Sequence, residues 1–204
     1  MATPDVESLF DTIADELQGS GYCVLDNILP ASLDDGLMHE LETWAAPLLQ
    51  PAGVGRGGDY QHNKDIRRDQ IHWFEPITPA VTEFLSWMDK LRAGLNQRLF
   101  LGLFNYECHF AVYQPGDFYQ KHLDAFKGTR GRRLSTVFYL NSDWSAVDAG
   151  ELVLYDEAGE QVLERIAPKK GRLVIFMSEE FPHEVLPAKR TRCSIAGWFR
   201  VNQL

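Results

Sequence analysis

The sequence predicts an α+β fold: a double-stranded β-helix, or jelly roll, buttressed by helices from its N-terminal half. Two observations lead there. Through residues 1–100 apolar side chains recur mainly at helical spacing, whereas from Tyr106 onward eight short apolar or alternating segments follow one another, separated by turn signals. Eight strands behind a helical block are what a jelly roll with one covered sheet requires. No repeat, low-complexity tract or linker divides the 204 residues. One domain is therefore expected, with residues 1–100 as helical support and 101–204 as the barrel.

Composition narrows the function. Apolar residues make up 45% of the chain, with five Trp and twelve Phe, enough to bury a sizeable core. A net charge of −9 argues against nucleic acid as partner, because a phosphate backbone needs a basic footprint. A basic cluster such as Lys127 to Arg133 could serve an acidic patch on a partner, although it reads more simply as a solvated loop. Cys23, Cys108 and Cys193 show neither CxxC nor zinc spacing and read as reduced thiols. No signal peptide or apolar run of membrane length is present, so a cytoplasmic protein with no membrane partner is expected.

The elements follow in order. Thr3-Pro4-Asp5 opens a helix whose apolar face is Val6, Leu9, Phe10, Ile13 and Leu17, with Gly19 as its stop. Gly21 to Asp26 is a short strand. Pro30-Ala31-Ser32 opens a second helix running through Leu33, Leu37, Leu41 and Trp44 toward Pro47. Residues 51–70 are rich in glycine and charge and lack periodicity; their length favours a mobile lid over a plain connector. Ile71 to Phe74 is strand-like, and Thr78-Pro79 starts a third helix through Val81, Phe84, Leu85, Met88, Leu91 and Leu95. The barrel strands are then Tyr106–Tyr113, Phe118–Leu123, Leu134–Leu140, Glu151–Tyr155, Gln161–Ile166, Arg172–Met177, Pro182–Leu186 and Cys193–Val201.

The chemistry concentrates at His122-Leu123-Asp124. On a strand, residues i and i+2 share a face, so one imidazole and one carboxylate can converge on a point. In a chain with six histidines this triplet alone is a weak signal. It strengthens with His183 in FPHEVL and with Arg192, which heads the apolar run CSIAGWF. A jelly roll brings these strand ends to one mouth of the barrel. His, Asp and His with open positions form the facial triad of non-haem Fe(II) oxygenases. Arg192 has no acid near it in sequence, and its planar fork suits a carboxylate of a dicarboxylate co-substrate.

The runs HLDAF, RRLSTVFYLNSDW, AGELVLY and IAPKKGRLVIFMSEEFPHEVLPAKRTRCSIAGWF, with DIRRDQIHWF upstream, resemble the prolyl hydroxylases of the hypoxia-sensing type, which depend on 2-oxoglutarate and Fe(II). The resemblance covers roughly residues 60 to 200, in order and spacing. It implies that His122, Asp124 and His183 bind Fe(II), and that Arg192 and the hydroxyl of Tyr139 take the far carboxylate of 2-oxoglutarate. Tyr113 and Tyr119 would line the pocket and Trp198 would wall it, although Tyr139 and Trp198 also read as core aromatics. Arg67, Asp69, Trp73 and Arg132 would serve the lid and substrate, with an Asp69–Arg132 salt bridge tying lid to barrel. Ala149-Gly150-Glu151-Leu152 stands where Gly-Gly-x-Leu is usual, and the turn between Tyr113 and Tyr119 is shorter than in animal enzymes.

The implied activity is O2-dependent 4-hydroxylation of a prolyl residue in an exposed loop of a protein, with succinate and CO2 as co-products and ascorbate as a candidate reductant. Bacterial members of the family are associated with elongation factor Tu, which makes it a candidate substrate. Two other readings stand beside this one: a hydroxylase of free amino acids or another small molecule on the same barrel, and a non-catalytic jelly roll holding a passive metal.

Overall fold

The computed structural model describes residues 6–54, 61–75, 78–125 and 131–201. Helix α1 (Val6–Gly19) buries Phe10, Ile13, Ala14 and Leu17 along one face; the expected start at Thr3-Pro4-Asp5 lies outside the described residues. Gly21, at φ 80, turns the chain into β1 (Tyr22–Asp26). Helix α2 (Ala31–Glu40) buries Leu33 and Leu37 and then changes pitch, through a π turn at Leu41–Ala45 and a 3-10 turn at Ala46–Leu48. The helical run does reach Pro47, but the wider turn rotates Trp44 off the apolar face, and it is 66% exposed. Helix α3 (Pro79–Leu99) starts at Thr78, whose hydroxyl accepts from the Val81 N–H, and buries Val81, Phe84, Met88, Leu91 and Leu95.

The strands form two antiparallel sheets. The larger contains β1, β2 (Gln50–Pro51), β3 (Gln70–Trp73), β4 (Leu103–Tyr113), β6 (Arg132–Tyr139), β9 (Arg172–Met177) and β11 (Arg192–Val201), in the order β1-β9-β6-β11-β4-β3-β2. The smaller runs β5-β10-β7-β8, from β5 (Tyr119–His122), β10 (His183–Val185), β7 (Leu152–Tyr155) and β8 (Val162–Ile166). All eight expected barrel strands are present, with ends moved by up to three residues. The expected strand at Ile71 to Phe74 appears as β3, and β2 is an addition: Pro51 sits on the sheet's edge strand, where a missing N–H leaves no central ladder bond unmade.

Alternation along the central strands separates two cores. On β11, Cys193, Ile195 and Phe199 point into the cluster made with α1, α2 and α3, which also holds Phe84, Phe110 and Phe138. The opposite face of the large sheet meets the small sheet through Tyr139, Val174, Phe176, Leu152 and Leu154. The helices thus cover one face of the large sheet, and the other is left for the barrel interior.

One expected position moves. Asp124 does not lie on a strand: β5 ends at His122, and the chain bends at Asp124. Of the segment 51–70, residues 55–60 lie outside the described residues. Its second half is held along β5, with Gln120 N–H donating to Ile66 O at 2.8 Å and Arg68 N–H to Phe118 O at 3.1 Å.

Ala149 stands at φ 55 and ψ −144, a conformation in which a Cβ is strained. The turn is kept because the Ala149 carbonyl accepts from the Trp144 indole at 2.9 Å and the Gly150 carbonyl accepts from Arg192 at 3.0 Å. Strain relief exceeds the entropy that glycine adds to the unfolded chain. Ala149→Gly should therefore raise stability by about 1 kcal/mol, read as a higher denaturation midpoint; an unchanged or lowered midpoint counts against strain at this turn.

Candidate active site

His122 closes β5 and His183 opens β10, and the two are direct cross-strand partners. The bend after β5 carries Asp124 back between them. One ligand atom from each of the three lies within 4.8 Å of the others, and both Nε2 atoms stand 3.6 Å from an Asp124 oxygen. Each ring is oriented by its other nitrogen: Nδ1 of His122 lies 2.8 Å from Gln120 O, and Nδ1 of His183 2.9 Å from Phe181 O. A carbonyl only accepts, so both Nδ1 atoms carry a proton, and both Nε2 atoms face Asp124. The Ser135 hydroxyl donates to Asp124 at 2.7 Å and is itself hydrogen-bonded to Ser178 at 2.9 Å.

The protonation states suit a cation. Burial alone would raise the Asp124 pKa; the imidazoles of His183 and His122 and the Arg132 guanidinium outweigh it and hold the carboxyl well below the usual range. Burial, aided by His122, pushes His183 down to about 4, against the pull of Asp124. Two imidazole nitrogens and a carboxylate converge here, an arrangement that fits a metal ion with positions left for other ligands.

The β11 register lays out the rest of the cleft. Arg192, Ser194, Ala196 and Trp198 share its inner face, and Trp198 pairs with Ser135, which holds Asp124. At about 3.3 Å per residue, Arg192 lies roughly 20 Å along the strand from Trp198. All four ligand and anchor residues line one cleft of about 850 Å³, but Arg192 occupies its buried end and not the mouth expected from the sequence. There it is 1% exposed. It donates to Gly150 O at 3.0 Å, Ser194 Oγ at 3.4 Å and Tyr139 Oη at 3.3 Å. The rings of Tyr113 and Tyr139 lie 5.0 Å on either side. It pairs with no carboxylate among the described residues. A buried cation without an anion is costly, so this end of the cleft is built to receive one.

Residues 108–200 match the 2OG-Fe(II) oxygenase superfamily. Human prolyl hydroxylase EGLN3 is 30% identical over 190 residues, covering 88% of this chain and 78% of that protein. The chain belongs to the prolyl hydroxylases of this superfamily. The hypoxia-inducible factor prolyl hydroxylase of Caenorhabditis elegans is 30% identical over 88% of the chain, which spans about a quarter (26%) of that relative's length. Human Egl nine homolog 1 is 29% identical, and the chain spans under half (47%) of it. Among solved structures, a Pseudomonas putida prolyl-4-hydroxylase is 40% identical with a TM-score of 0.85, covering 95% of this chain and 100% of that one.

At the mouth of the cleft the expected Asp69–Arg132 salt bridge is replaced by two others. Both Asp69 oxygens take Arg67, at 2.8 and 2.6 Å, because the two residues lie on one side of a short extended segment. Arg132 pairs with Glu107 at 3.0 Å and covers the Trp198 ring at 3.5 Å; Arg200 takes the other Glu107 oxygen at 3.0 Å. Trp73, half-exposed, stands 6.3 Å from Trp198. Tyr119 lines the cleft and stacks on His122 with ring centres 3.6 Å apart.

Sequence reasoning passed over Ser135, Glu107 and His109. Each is an inward position of an alternating strand, but that signal also describes ordinary core and rim residues. His109 sits between Trp73 and Trp198, with ring centres 4.9 and 5.5 Å away. Burial first, then the Arg67 charge, push its pKa down to about 4, with Asp69 partly opposing. Unfolded, the ring titrates near 6.5. Between those values the unfolded chain binds the extra proton, so stability is full above pH 6.5 and falls as pH drops toward 4. In metal-free protein, His109→Gln should flatten this acid slope, by up to roughly 3 kcal/mol at pH 4. Parallel stability–pH curves for the two proteins would show that His109 is not held neutral.

Proposed function

We propose that this chain acts as one oxygenase unit that 4-hydroxylates a prolyl residue of a protein, consuming 2-oxoglutarate and O2 and releasing succinate and CO2. His122, Asp124 and His183 would hold Fe(II) and leave three positions open. Arg192, with the Tyr139 hydroxyl, would grip the far carboxylate of 2-oxoglutarate between the rings of Tyr113 and Tyr139. When bound, iron and 2-oxoglutarate supply the oxidising chemistry, one oxygen atom ending in succinate and the other on the prolyl carbon.

The observation that carries this reading is the buried, acid-free guanidinium of Arg192 in the same cleft as the ligand cluster. A passive metal site has no use for it. The chain's own work is positional. The carbonyls of Gln120 and Phe181 hold each ring by its Nδ1 and so turn Nε2 toward Asp124, and Ser135 aims the carboxylate. Trp198 under Arg132, with Trp73 beside it, walls the mouth against water.

For the substrate, the relevant neighbour is a Trichoplax adhaerens prolyl hydroxylase solved with a hypoxia inducible factor oxygen degradation domain peptide, 27% identical with a TM-score of 0.85. That favours an extended, proline-containing segment of a protein over a free amino acid. Elongation factor Tu is the first candidate to test. Its compartment, the cytoplasm, also suits three buried free cysteines. Among the described residues no helix is long and apolar enough to cross a membrane.

Anaerobic addition of 2-oxoglutarate to the Fe(II)-loaded protein should produce the visible charge-transfer band of a chelated keto acid. Arg192→Ala should weaken 2-oxoglutarate binding at least about tenfold, the scale of a lost buried charge-assisted contact. Absence of the band in the parent protein would sink the oxygenase reading. With the band present, a one-oxygen mass gain on proline-containing peptides but not on free proline assigns a protein substrate, and the reverse assigns a small molecule.

A further inference from the structure

Asp69, Arg67, Tyr119 and His122 form a single column. The Asp69 side chain is fully buried and its two oxygens take Arg67 Nε and a terminal guanidinium nitrogen. The Arg67 guanidinium carbon lies 4.2 Å from the centre of the Tyr119 ring. Tyr119 in turn lies 3.6 Å from the His122 ring, at an interplanar angle of 15°. Two groups this close to the centre of one ring must occupy its opposite faces. Tyr119 is therefore clamped between the guanidinium and the imidazole.

We infer that Arg67 is a positioning residue for the metal ligand His122, acting through the ring of Tyr119. The inference rests on the reading of His122, Asp124 and His183 as the Fe(II) ligands. The need for such a device follows from how weakly the fold itself holds His122. Strand β5 has four residues, and its pairing with β10 breaks register between His183 and Val185. His183, by contrast, is braced by Phe176 from the barrel core at 4.8 Å. Among the described residues no aromatic ring of the barrel core braces His122; apart from its fellow candidate ligand His183, the ring against it is Tyr119, on its own strand.

The support for β5 comes from the segment before β3. Ile66 O accepts from Gln120 N–H, Asp65 O accepts from the Gln120 side chain at 2.6 Å, and Arg67 bridges Tyr119. Gln120 is also the residue whose carbonyl orients the His122 ring. The far end of the column is rooted in the large sheet: Asp69 O accepts from Ala52 N–H at 2.9 Å, and Arg67 donates to Gly53 O at 3.3 Å. Burial works against the Arg67 charge, but the Asp69 hydrogen bonds and charge overcome it and hold the pKa above its ordinary value. The guanidinium thus stays charged against the π face, where a cation is attracted. A segment that reads as a substrate lid in the sequence is, by this geometry, part of the metal site.

The test uses Co(II) as a spectroscopic stand-in for Fe(II) in the full chain, so that ligand geometry is read without turnover. Arg67→Gln/Asp69→Asn removes both charges together and leaves no buried orphan. It should raise the Co(II) dissociation constant about tenfold, the usual scale for losing an outer partner of a ligand, and shift the visible d–d bands. Arg67→Lys, which keeps a cation over the ring, should recover most of the affinity. Near-UV circular dichroism of the metal-free proteins reports whether each folds. If the double variant does not fold, Tyr119→Leu, with the Arg67–Asp69 pair intact, should give the same spectral shift. Parent-like Co(II) affinity and bands in whichever folded variant is measured would overturn the inference and leave Arg67 a loop staple or a substrate contact. A parent protein that binds no Co(II) at these three residues would instead overturn the iron reading beneath it.

Discussion

β11 runs between β4 and β6, in unbroken register with β4 from Arg192 to Arg200 and with β6 from Ser194 to Phe199, and the whole cleft depends on that pairing. Side chains on a strand alternate faces, so a slip of one residue would send Arg192 and Trp198 toward the helices and turn Ile195 and Phe199 into the cleft. The slip is opposed by the helix-covered core. Cys193, Ile195 and Phe199 are buried against it, each large apolar side chain contributing about 1.5–3 kcal/mol. Chemistry on one face of β11 is thus held in place by hydrophobic burial on the other, and α1, α2 and α3 serve the site without touching it.

Inside the cleft, each acid named among the described residues has a donor. Asp124 receives the Ser135 hydroxyl, Asp69 receives Arg67, and Glu107 is shared by Arg132 and Arg200. Arg192 has a carbonyl and hydroxyls for partners, and no acid among the described residues. Opposite it, His122, Asp124 and His183 bring three potential ligand atoms together. One end of the cleft wants an anion and the other a cation. A keto acid that chelates a metal through one end and carries a carboxylate at the other answers both, which is why this cleft favours that class of co-substrate.

The strands were readable because burial imposes a period of two on them, and the helices because burial imposes a period near 3.6. Helix α3 followed its apolar spacing from Thr78, and Arg172–Met177 was read to the residue. Trp44 was misjudged because a π turn changes helical phase without a clear sequence mark. Strand β2 was missed because a two-residue edge strand is too short to show a period. Asp69 and Arg132 read from the sequence alone as two surface charges and were paired only by the family resemblance; which partner each takes depends on distances across strands far apart in sequence.

The sequence by itself determined the eight-strand barrel behind a helical block, and it singled out His122, Asp124, His183 and Arg192 as candidates, because few residue types can ligate a metal or bind a carboxylate; Tyr139 came from the family resemblance. Tertiary structure alone decided that Asp124 comes from a bend, that Arg192 lies at the buried end, and that Arg67 reaches His122 through Tyr119. Local pattern records which face a side chain takes; it does not record which distant backbone carbonyl, hydroxyl or ring will meet it there. Those meetings are set by strand order and register, properties that exist only once the two sheets have closed on each other.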